Sequence, residues 1–224
     1  MDTKITIAKW GSLPPRRNLP YVNEIAAHSA VGVIRFRIRV EAYQGLTRYP
    51  NRFLYLATLD GTGDKVIVKF TRRYFPELHL FCAEKGHAPE LLGFGKIPGG
   101  WDVVVMEWID QEDSNLEDYA LDHLPRWSED LRSLVKAFHD KGWVHGDLRD
   151  ANLIVSNQNP GQVILVDFDW GGDVSGGRVY YPTALVNEEL LKPGHLDDFE
   201  ITKEHDDRVL TSTLEKLSGP GKPR

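Results

Sequence analysis

The sequence predicts an α+β fold in which an N-terminal antiparallel sheet with one helix precedes a mainly helical part. Two observations support the sheet: apolar and basic residues alternate over 33–40, and two strand-like runs flank the turn at 60–63. A third observation, an apolar stripe at helical spacing over 131–138, supports the helical part. Alternation with a period of two is typical of half-buried strands, and spacings of three and four residues are typical of amphipathic helices.

The composition limits the possible functional classes. Of the 224 residues, 41% are hydrophobic and 27% are charged, as in a globular domain. A net charge of −6 argues against a surface built to bind nucleic acid. Cys82 is the only cysteine, which excludes an internal disulfide and favours a reducing compartment. Because we find no signal peptide and no apolar run near the roughly 18 residues of a membrane span, we expect a cytoplasmic protein without a membrane partner.

The first half of the chain begins as an irregular lead-in over residues 1–32 and continues as strands. Residues 33–40 are expected to bury one strand face. The other face is basic, and we interpret it as a solvated face rather than a phosphate-binding one; it carries Arg35, Arg37 and Arg39. Residues 53–59 and 65–70 form a predicted hairpin, since the turn between them is rich in glycine.

A short helix is predicted over residues 76–85. Pro76 suits a first helical turn, and Gly86 is a stop signal. The apolar positions at helical spacing would form its buried side: Leu78, Phe81 and Cys82. Two further strands, at 91–96 and 101–108, complete a first lobe of five strands and one helix.

The second half is predicted to be mainly helical. Ser128 would cap an amphipathic helix that ends near Gly142. A strand pair follows at 153–155 and 163–166. Thr202 would cap a last helix. The apolar residues of that helix are Val209, Leu210, Leu214 and Leu217.

Three motifs stand out for their order and spacing. Lys69 ends an apolar strand in the first half of the chain. Asp147 and Asn152 lie between the amphipathic helix and the strand pair, and Asp167 follows that pair. Asp147 precedes Asn152 by five positions, which is the spacing of the protein-kinase catalytic loop. The chain therefore resembles a protein-kinase-like phosphotransferase over about residues 33–170.

The resemblance implies a two-lobed fold. Its parts would be a lead-in over 1–32, an N-terminal lobe over 33–109, a C-terminal lobe over 110–218 and a tail over 219–224. The chain continues only briefly beyond Asp169 and has no Ala-Pro-Glu there. We therefore expect a truncated C-terminal lobe.

By resemblance, each motif has a role in phosphoryl transfer from ATP. Lys69 would hold the α- and β-phosphates of the nucleotide. Asp147 would accept or orient the proton of the attacking hydroxyl, and Arg149 would face the transferred phosphate. Asn152 and Asp167 would supply oxygen ligands to Mg²⁺, which prefers such ligands. ATP and Mg²⁺ are therefore the expected cofactors.

Lys69 would pair with an acidic residue of the predicted short helix. Glu77 and Glu84 are seven positions apart and can lie on one helix face, so spacing does not distinguish them. The chain also resembles short fungal kinase-domain proteins, in which a glutamate precedes a run similar to residues 78–89. This resemblance favours Glu77.

The segment between the lobes would bind the adenine ring. By resemblance, the Glu107 carbonyl and the Ile109 amide would be main-chain contacts. Met106 would border the pocket, and Ile154 would form its apolar floor. Each of these residues is also a candidate for the core of its lobe.

The chain departs from the protein-kinase pattern at several positions. Residues 41–51 contain one glycine where protein kinases have a glycine-rich loop, and Ile67 stands where a small alanine is usual. Gly146 replaces an arginine, so control by phosphate binding at that arginine is not expected. The third motif reads Asp-Phe-Asp without a glycine. Its sequence and the His-Gly-Asp element are more similar to aminoglycoside and choline phosphotransferases.

Two further predictions concern the catalytic loop. Asp206 and Asp207 open the last predicted helix, and by resemblance one of them would accept hydrogen bonds from backbone N–H groups of the loop. Alternatively, their charges serve the helix N-terminus. His145 is expected to anchor its own loop rather than bind a metal with Asp147, because no other histidine has ligand spacing.

The resemblance implies a kinase that transfers the γ-phosphate of ATP to a hydroxyl of a protein serine or threonine, or of a small molecule. The alternative is a pseudokinase that acts as a nucleotide-binding or protein-interaction scaffold. The chain keeps Lys69 and both candidate metal ligands, which favours the enzyme. The sequence leaves the acceptor, the oligomeric state and the regulation open.

Overall fold

A computed structural model describes residues 22–27, 33–38, 53–110, 116–182, 190 and 199–219. The loop over 41–51, the tail beyond residue 219 and most of the lead-in lie outside these residues. The chain divides into two compact units. The first holds the residues up to Tyr74 and Glu90–Trp108, and the second holds Phe75–Pro89 and the residues from Ile109 onwards. In the part of the chain that the structure describes, no helix has the length and apolar character needed to span a membrane.

The first unit is built on a six-stranded antiparallel sheet with the order β1-β2-β3-β4-β6-β5. The strands are β1 (Glu24–Ala26), β2 (Val33–Ile38), β3 (Phe53–Leu59), β4 (Lys65–Thr71), β5 (Leu91–Ile97) and β6 (Trp101–Glu107). The structure confirms the five predicted strands and the β3–β4 hairpin. Strand β1 was not predicted, because three residues inside a proline-containing segment give no periodic signal.

The core of the first unit lies on one face of this sheet. It includes Ile25, Phe36, Val66, Val68, Phe70, Val103 and Val105. Ala27 forms a bridge with Gly93 of β5, so the first strand reaches the opposite edge of the sheet. A Cβ atom at Gly93 would lie 2.8 Å from Ile25 Cγ2. Glycine therefore permits this close approach.

The basic face of β2 is solvated, as interpreted from the sequence. Arg35 and Arg37 are exposed. Their guanidinium groups lie 3.1 Å from a Glu24 oxygen and 3.8 Å from an Asp60 oxygen, respectively. Arg39 lies outside the described residues.

In its described residues, the second unit combines three α-helices with short strands. The helices are α1 (Pro76–Glu84), α2 (Leu116–His139) and α3 (Lys203–Ser218). The strands are β7 (Trp143–Val144), β8 (Leu153–Ser156), β9 (Asn159–Leu165), β10 (Gly172–Asp173), β11 (Val179–Tyr180) and β12 (Glu200–Ile201). Strands β8 and β9 form the predicted hairpin, and the Thr202 side chain caps α3 by accepting a hydrogen bond from the His205 amide.

Helix α1 has the predicted proline in its first turn, but it belongs to the second unit rather than to the sheet. Its buried residues are Leu78, His79 and Cys82, whereas Phe81 is half-buried. His79 can be buried because its ring has a hydrogen-bond partner: His79 Nε2 lies 2.7 Å from the Pro89 carbonyl oxygen. The apolar pattern alone does not reveal this contact.

Helix α2 begins at Leu116, so the prediction of a cap at Ser128 was wrong. Pro125 and Ser128 both lie inside the helix. Ala120 and Trp127 are buried and extend the apolar side of the helix toward its N-terminus. Trp127 also donates through Nε1 to the Pro160 carbonyl at 3.2 Å. This packing outweighs the local preference of proline and serine for a helix start.

Candidate active site

The loop between β7 and β8 carries the Asp147 and Asn152 motif. Residues 150–152 form a single 3-10 turn that leads into β8. Five residues of the loop are buried: His145, Gly146, Asp147, Leu148 and Asn152. Buried polar groups require hydrogen-bond partners, so the partners of this loop determine its conformation.

Asn152 connects the two halves of the loop and the segment that ends in Asp167. Its Nδ2 donates to the Asp147 carbonyl at 2.9 Å, and its backbone amide donates to the Arg149 carbonyl at 2.9 Å. Its own carbonyl accepts from the Val166 amide at 3.0 Å. The structure therefore brings Asn152 together with Asp147 and with the residue that precedes Asp167.

Asp206 of α3 supports the same loop by accepting hydrogen bonds from its backbone. Its two carboxylate oxygens accept from the amides of His145, at 2.7 Å, and Gly146, at 2.8 Å. His139 Nε2 lies 3.3 Å from the same carboxylate. Asp206 is 1% exposed, whereas the Asp207 side chain is 67% exposed. The prediction that a carboxylate of this helix supports the loop is thus confirmed, and the residue is Asp206.

The Asp147 carboxylate is held by Arg149. Arg149 donates through Nε to Oδ1 at 2.5 Å and through Nη2 to Oδ2 at 2.9 Å. Such a two-point pair fixes the plane of a carboxylate. The pair is largely buried, since the two side chains are 14% and 6% exposed. Arg149 therefore orients Asp147 in this structure.

His145 anchors its own loop, as predicted. Its Nδ1 accepts from the Asp147 amide at 3.2 Å. Complete burial lowers the pKa of His145 below its usual value, although Asp206 and Asp147 oppose that shift. The imidazole is therefore neutral at physiological pH, which is the state in which Nδ1 can accept a hydrogen bond.

The Asp167 segment is linked to helix α1 through Phe168. Asp167 has a φ of 68°, which is unusual for a residue other than glycine. The Phe168 ring stacks on His79 at 4.7 Å and meets His145 edge-on at 5.2 Å. The Phe75 amide also donates to the Phe168 carbonyl at 3.1 Å. A row of three rings thus connects α1 to the loop that carries Asp147 within the second unit.

Lys69 lies in the first unit, on the face of β4 opposite the core. It is paired with Leu54 of β3 and with Val104 of β6. Ile67 occupies the same face and is paired with Met106. Lys69 Nζ lies 6.0 Å from the centroid of the Tyr74 ring. The lysine therefore stands among apolar side chains of the sheet.

The remaining predicted residues fall in both units. Met106 is buried at the end of β6, and Glu107 is exposed. The Glu107 amide donates to the Glu90 carbonyl at 3.0 Å, and its Oε2 accepts from the Glu90 amide at 3.1 Å. In the second unit, Ile109 and Ile154 are half-buried, and Ile154 pairs with Ile164. Glu77 and Glu84 are both exposed on α1.

Sequence reasoning missed two residues that contact this site. His79 stacks on Phe168, and the Tyr181 hydroxyl donates to the Gly146 carbonyl at 2.5 Å. Neither residue belongs to a motif, and both act over long separations in sequence. The sequence also did not reveal how closely other residues pack around Gly146. A Cβ atom there would lie 3.0 Å from Ile201 Cδ1 and 3.2 Å from Trp170 Cβ. With a φ of +84°, the position favours glycine over the usual arginine.

Comparison with known proteins rests on structure. No family model matches the sequence, and no curated protein matches it. Among solved structures, the Cydia pomonella granulovirus kinase PK-1 matches with a TM-score of 0.57 and 13% sequence identity. The match covers 81% of this chain and 67% of the viral one.

At 13% identity the likeness shows the fold alone. The resemblance of the His-Gly-Asp and Asp-Phe-Asp elements to aminoglycoside and choline phosphotransferases stays a prediction. The antiparallel N-terminal sheet, the few helices and the structural match together show that this chain has an α+β fold of the protein-kinase-like type.

Proposed function

We propose that the protein is an ATP- and magnesium-dependent phosphotransferase that moves the γ-phosphate to a hydroxyl group. The observation that carries the proposal is the buried loop in which Asp206 holds two backbone amides and Asn152 holds the Asp147 carbonyl. Phosphoryl transfer depends mainly on positioning and on neutralisation of charge. A loop fixed by buried hydrogen bonds suits that requirement.

Asp147 is the proposed base for the acceptor. The acceptor oxygen attacks the γ-phosphorus, the bond from that phosphorus to the oxygen bridging the β- and γ-phosphates breaks, and ADP leaves. The hydroxyl proton passes to the Asp147 carboxylate. Arg149 orients this carboxylate through its two hydrogen bonds, and its positive charge is suited to the transferred phosphate.

Asn152 and Asp167 are the proposed metal ligands. Asn152 uses its Nδ2 to bind the Asp147 carbonyl, which leaves its amide oxygen as the metal-binding atom. One amide oxygen and one carboxylate match the oxygen ligands of Mg²⁺, which takes few ligands from the protein and others from phosphates and water. The described residues include no cluster of three or more histidine, cysteine or acidic side chains suited to a metal. When bound, Mg²⁺ neutralises phosphate charge.

Lys69 and the apolar face around it are the proposed nucleotide-binding part of the first unit. Leu54, Ile67 and Val104 surround the lysine on this face. An ammonium group among apolar side chains is suited to phosphate oxygens. The Glu107 carbonyl, the Ile109 amide, Met106 and Ile154 remain the proposed adenine contacts, and Glu77 the proposed partner of Lys69.

The acceptor is a hydroxyl of a protein or of a small molecule. One observation favours a second function, a nucleotide-binding or protein-interaction scaffold: both Asp147 carboxylate oxygens are engaged by Arg149. An engaged carboxylate must exchange one of these bonds for a bond to the acceptor. Turnover distinguishes the two functions, because a scaffold binds nucleotide without consuming it.

Replacement of Lys69 by alanine tests the nucleotide site. Loss of a charged hydrogen-bond donor to phosphate is expected to weaken ATP binding by about 10- to 100-fold. Titration of the purified protein with ATP and Mg²⁺ measures the effect. Lys65→Ala is the matched control, since Lys65 is an exposed lysine of the same strand. Equal affinities in the two variants would contradict the assignment of Lys69.

A further inference from the structure

Tyr181 lies outside every motif, but its side chain reaches the catalytic loop. Its hydroxyl donates to the Gly146 carbonyl at 2.5 Å, and the residue is 3% exposed. The ring meets Trp170 edge-on at 5.2 Å and His205 at 5.7 Å. These contacts fix the ring, so the hydroxyl is presented to one acceptor.

The backbone around Tyr181 is anchored next to the helix that carries Asp206. The Tyr181 amide donates to the Phe199 carbonyl at 2.8 Å, and Tyr180 pairs with Glu200 in the β11–β12 ladder. Strand β12 runs directly into the cap of α3. The β11–β12 ladder and helix α3 therefore connect Tyr181 with Asp206, and both residues contact the catalytic loop.

The two residues hold the peptide groups on both sides of Gly146. Asp206 accepts from the Gly146 amide, whereas Tyr181 donates to the Gly146 carbonyl. That carbonyl belongs to the peptide group whose N–H is the Asp147 amide. Gly146 has a left-handed conformation, which glycine adopts readily, and Ile201 and Trp170 fill the surrounding space.

The chemistry of the phenol suits a permanent donor. Burial raises the pKa of Tyr181, and the negative charges of Asp206 and Asp147 raise it further. The hydroxyl thus keeps its proton at physiological pH. A buried carbonyl without a hydrogen-bond donor destabilises the folded state, so the contact favours the loop orientation in which the Gly146 carbonyl is satisfied.

We propose that Tyr181 is a positioning residue: it fixes the peptide group between Gly146 and Asp147, and thereby the direction of the Asp147 side chain. Gly146 stands where protein kinases usually have an arginine, so no arginine is present there to bind a phosphate. The hydrogen bond from Tyr181 holds the loop instead. The consequence for catalysis rests on the proposed phosphotransferase function. The positional role itself does not depend on that function.

Tyr181→Phe tests the proposal, because it removes the hydroxyl and keeps the ring. Amide hydrogen exchange measured by NMR is expected to become about tenfold faster at His145, Gly146 and Asp147, as one buried hydrogen bond is lost. Exchange in helix α2 should stay unchanged. Tyr180→Phe is the matched control, since Tyr180 is 47% exposed, and it should alter no amide of the loop.

Two results would overturn the proposal: unchanged exchange in the loop, or equal acceleration throughout the second unit, which would indicate general destabilisation. Where the wild type turns over ATP, Tyr181→Phe should lower kcat and leave the KM for ATP unchanged. A fall in kcat and a rise in KM together would also contradict a positioning role. If the wild type shows no turnover, the proposed function fails, and hydrogen exchange still decides the role of Tyr181.

Discussion

Replacement of Asp147 by alanine is expected to lower the rate of phosphotransfer by about 10²- to 10⁴-fold, the usual contribution of a positioned acid or base. The variant removes the carboxylate that is the proposed recipient of the acceptor's hydroxyl proton. It also leaves the largely buried Arg149 without the two-point partner that it has in the structure. The measurement is ADP formation with ATP, Mg²⁺ and a panel of protein and small-molecule hydroxyl acceptors.

Two further variants separate lost chemistry from lost structure. Asp147→Asn keeps the size of the side chain and one oxygen for Arg149, so it should fold like the wild type and still be inactive. Asp150→Ala is a control in the same loop, because the Asp150 pair with Lys216 is partly exposed and contributes little. Activity near that of the wild type in Asp147→Asn would exclude Asp147 as the base.

Replacement of Asp206 by alanine is expected to destabilise the second unit strongly. The buried amides of His145 and Gly146 would both lose their acceptor. Each unsatisfied buried group costs about 1–3 kcal/mol, so the free energy of unfolding should fall by about 2–6 kcal/mol. Thermal unfolding should show a decrease of roughly 5–20 °C in the midpoint.

The neighbouring aspartate provides the control for that experiment. Asp207 is 67% exposed and lies 3.9 Å from His139 Nδ1. Its replacement by alanine should change stability by no more than about 0.5 kcal/mol. Asp206→Asn should lie between the two, because it keeps one acceptor oxygen. If Asp206→Ala and Asp207→Ala unfold at the same temperature, the supporting role of Asp206 is wrong.

The elements with a strong local signal could be predicted from the sequence. The β3–β4 hairpin has a glycine-rich turn between alternating runs, and α3 has Thr202 as its cap. The loop that carries Asp147 and Asn152 was recognisable by resemblance, because these two residues have the spacing of the protein-kinase catalytic loop. The resemblance to protein kinases also indicated that Asp206 or Asp207 supports the loop, but the sequence could not distinguish them, since their difference lies in burial.

Contacts between distant segments explain what could not be predicted. Helix α2 continues through Pro125 because Trp127 packs in the core and binds the Pro160 carbonyl. His79 and Tyr181 contact the site over separations of tens of residues, and no periodic pattern marks them. One exception is local in sequence: Arg149 and Asp147 are two positions apart, but only the three-dimensional structure shows their ion pair.

Calorimetric titration of the wild type and of Asp167→Ala with ATP, with and without Mg²⁺, decides whether the protein has a magnesium-dependent nucleotide site. We expect that the wild type binds ATP, that Mg²⁺ strengthens binding, and that Asp167→Ala loses the dependence on Mg²⁺. Asp169→Ala removes a neighbouring carboxylate and should keep that dependence. Absence of ATP binding by the folded wild type, or equal dependence on Mg²⁺ in Asp167→Ala, would exclude the proposed site.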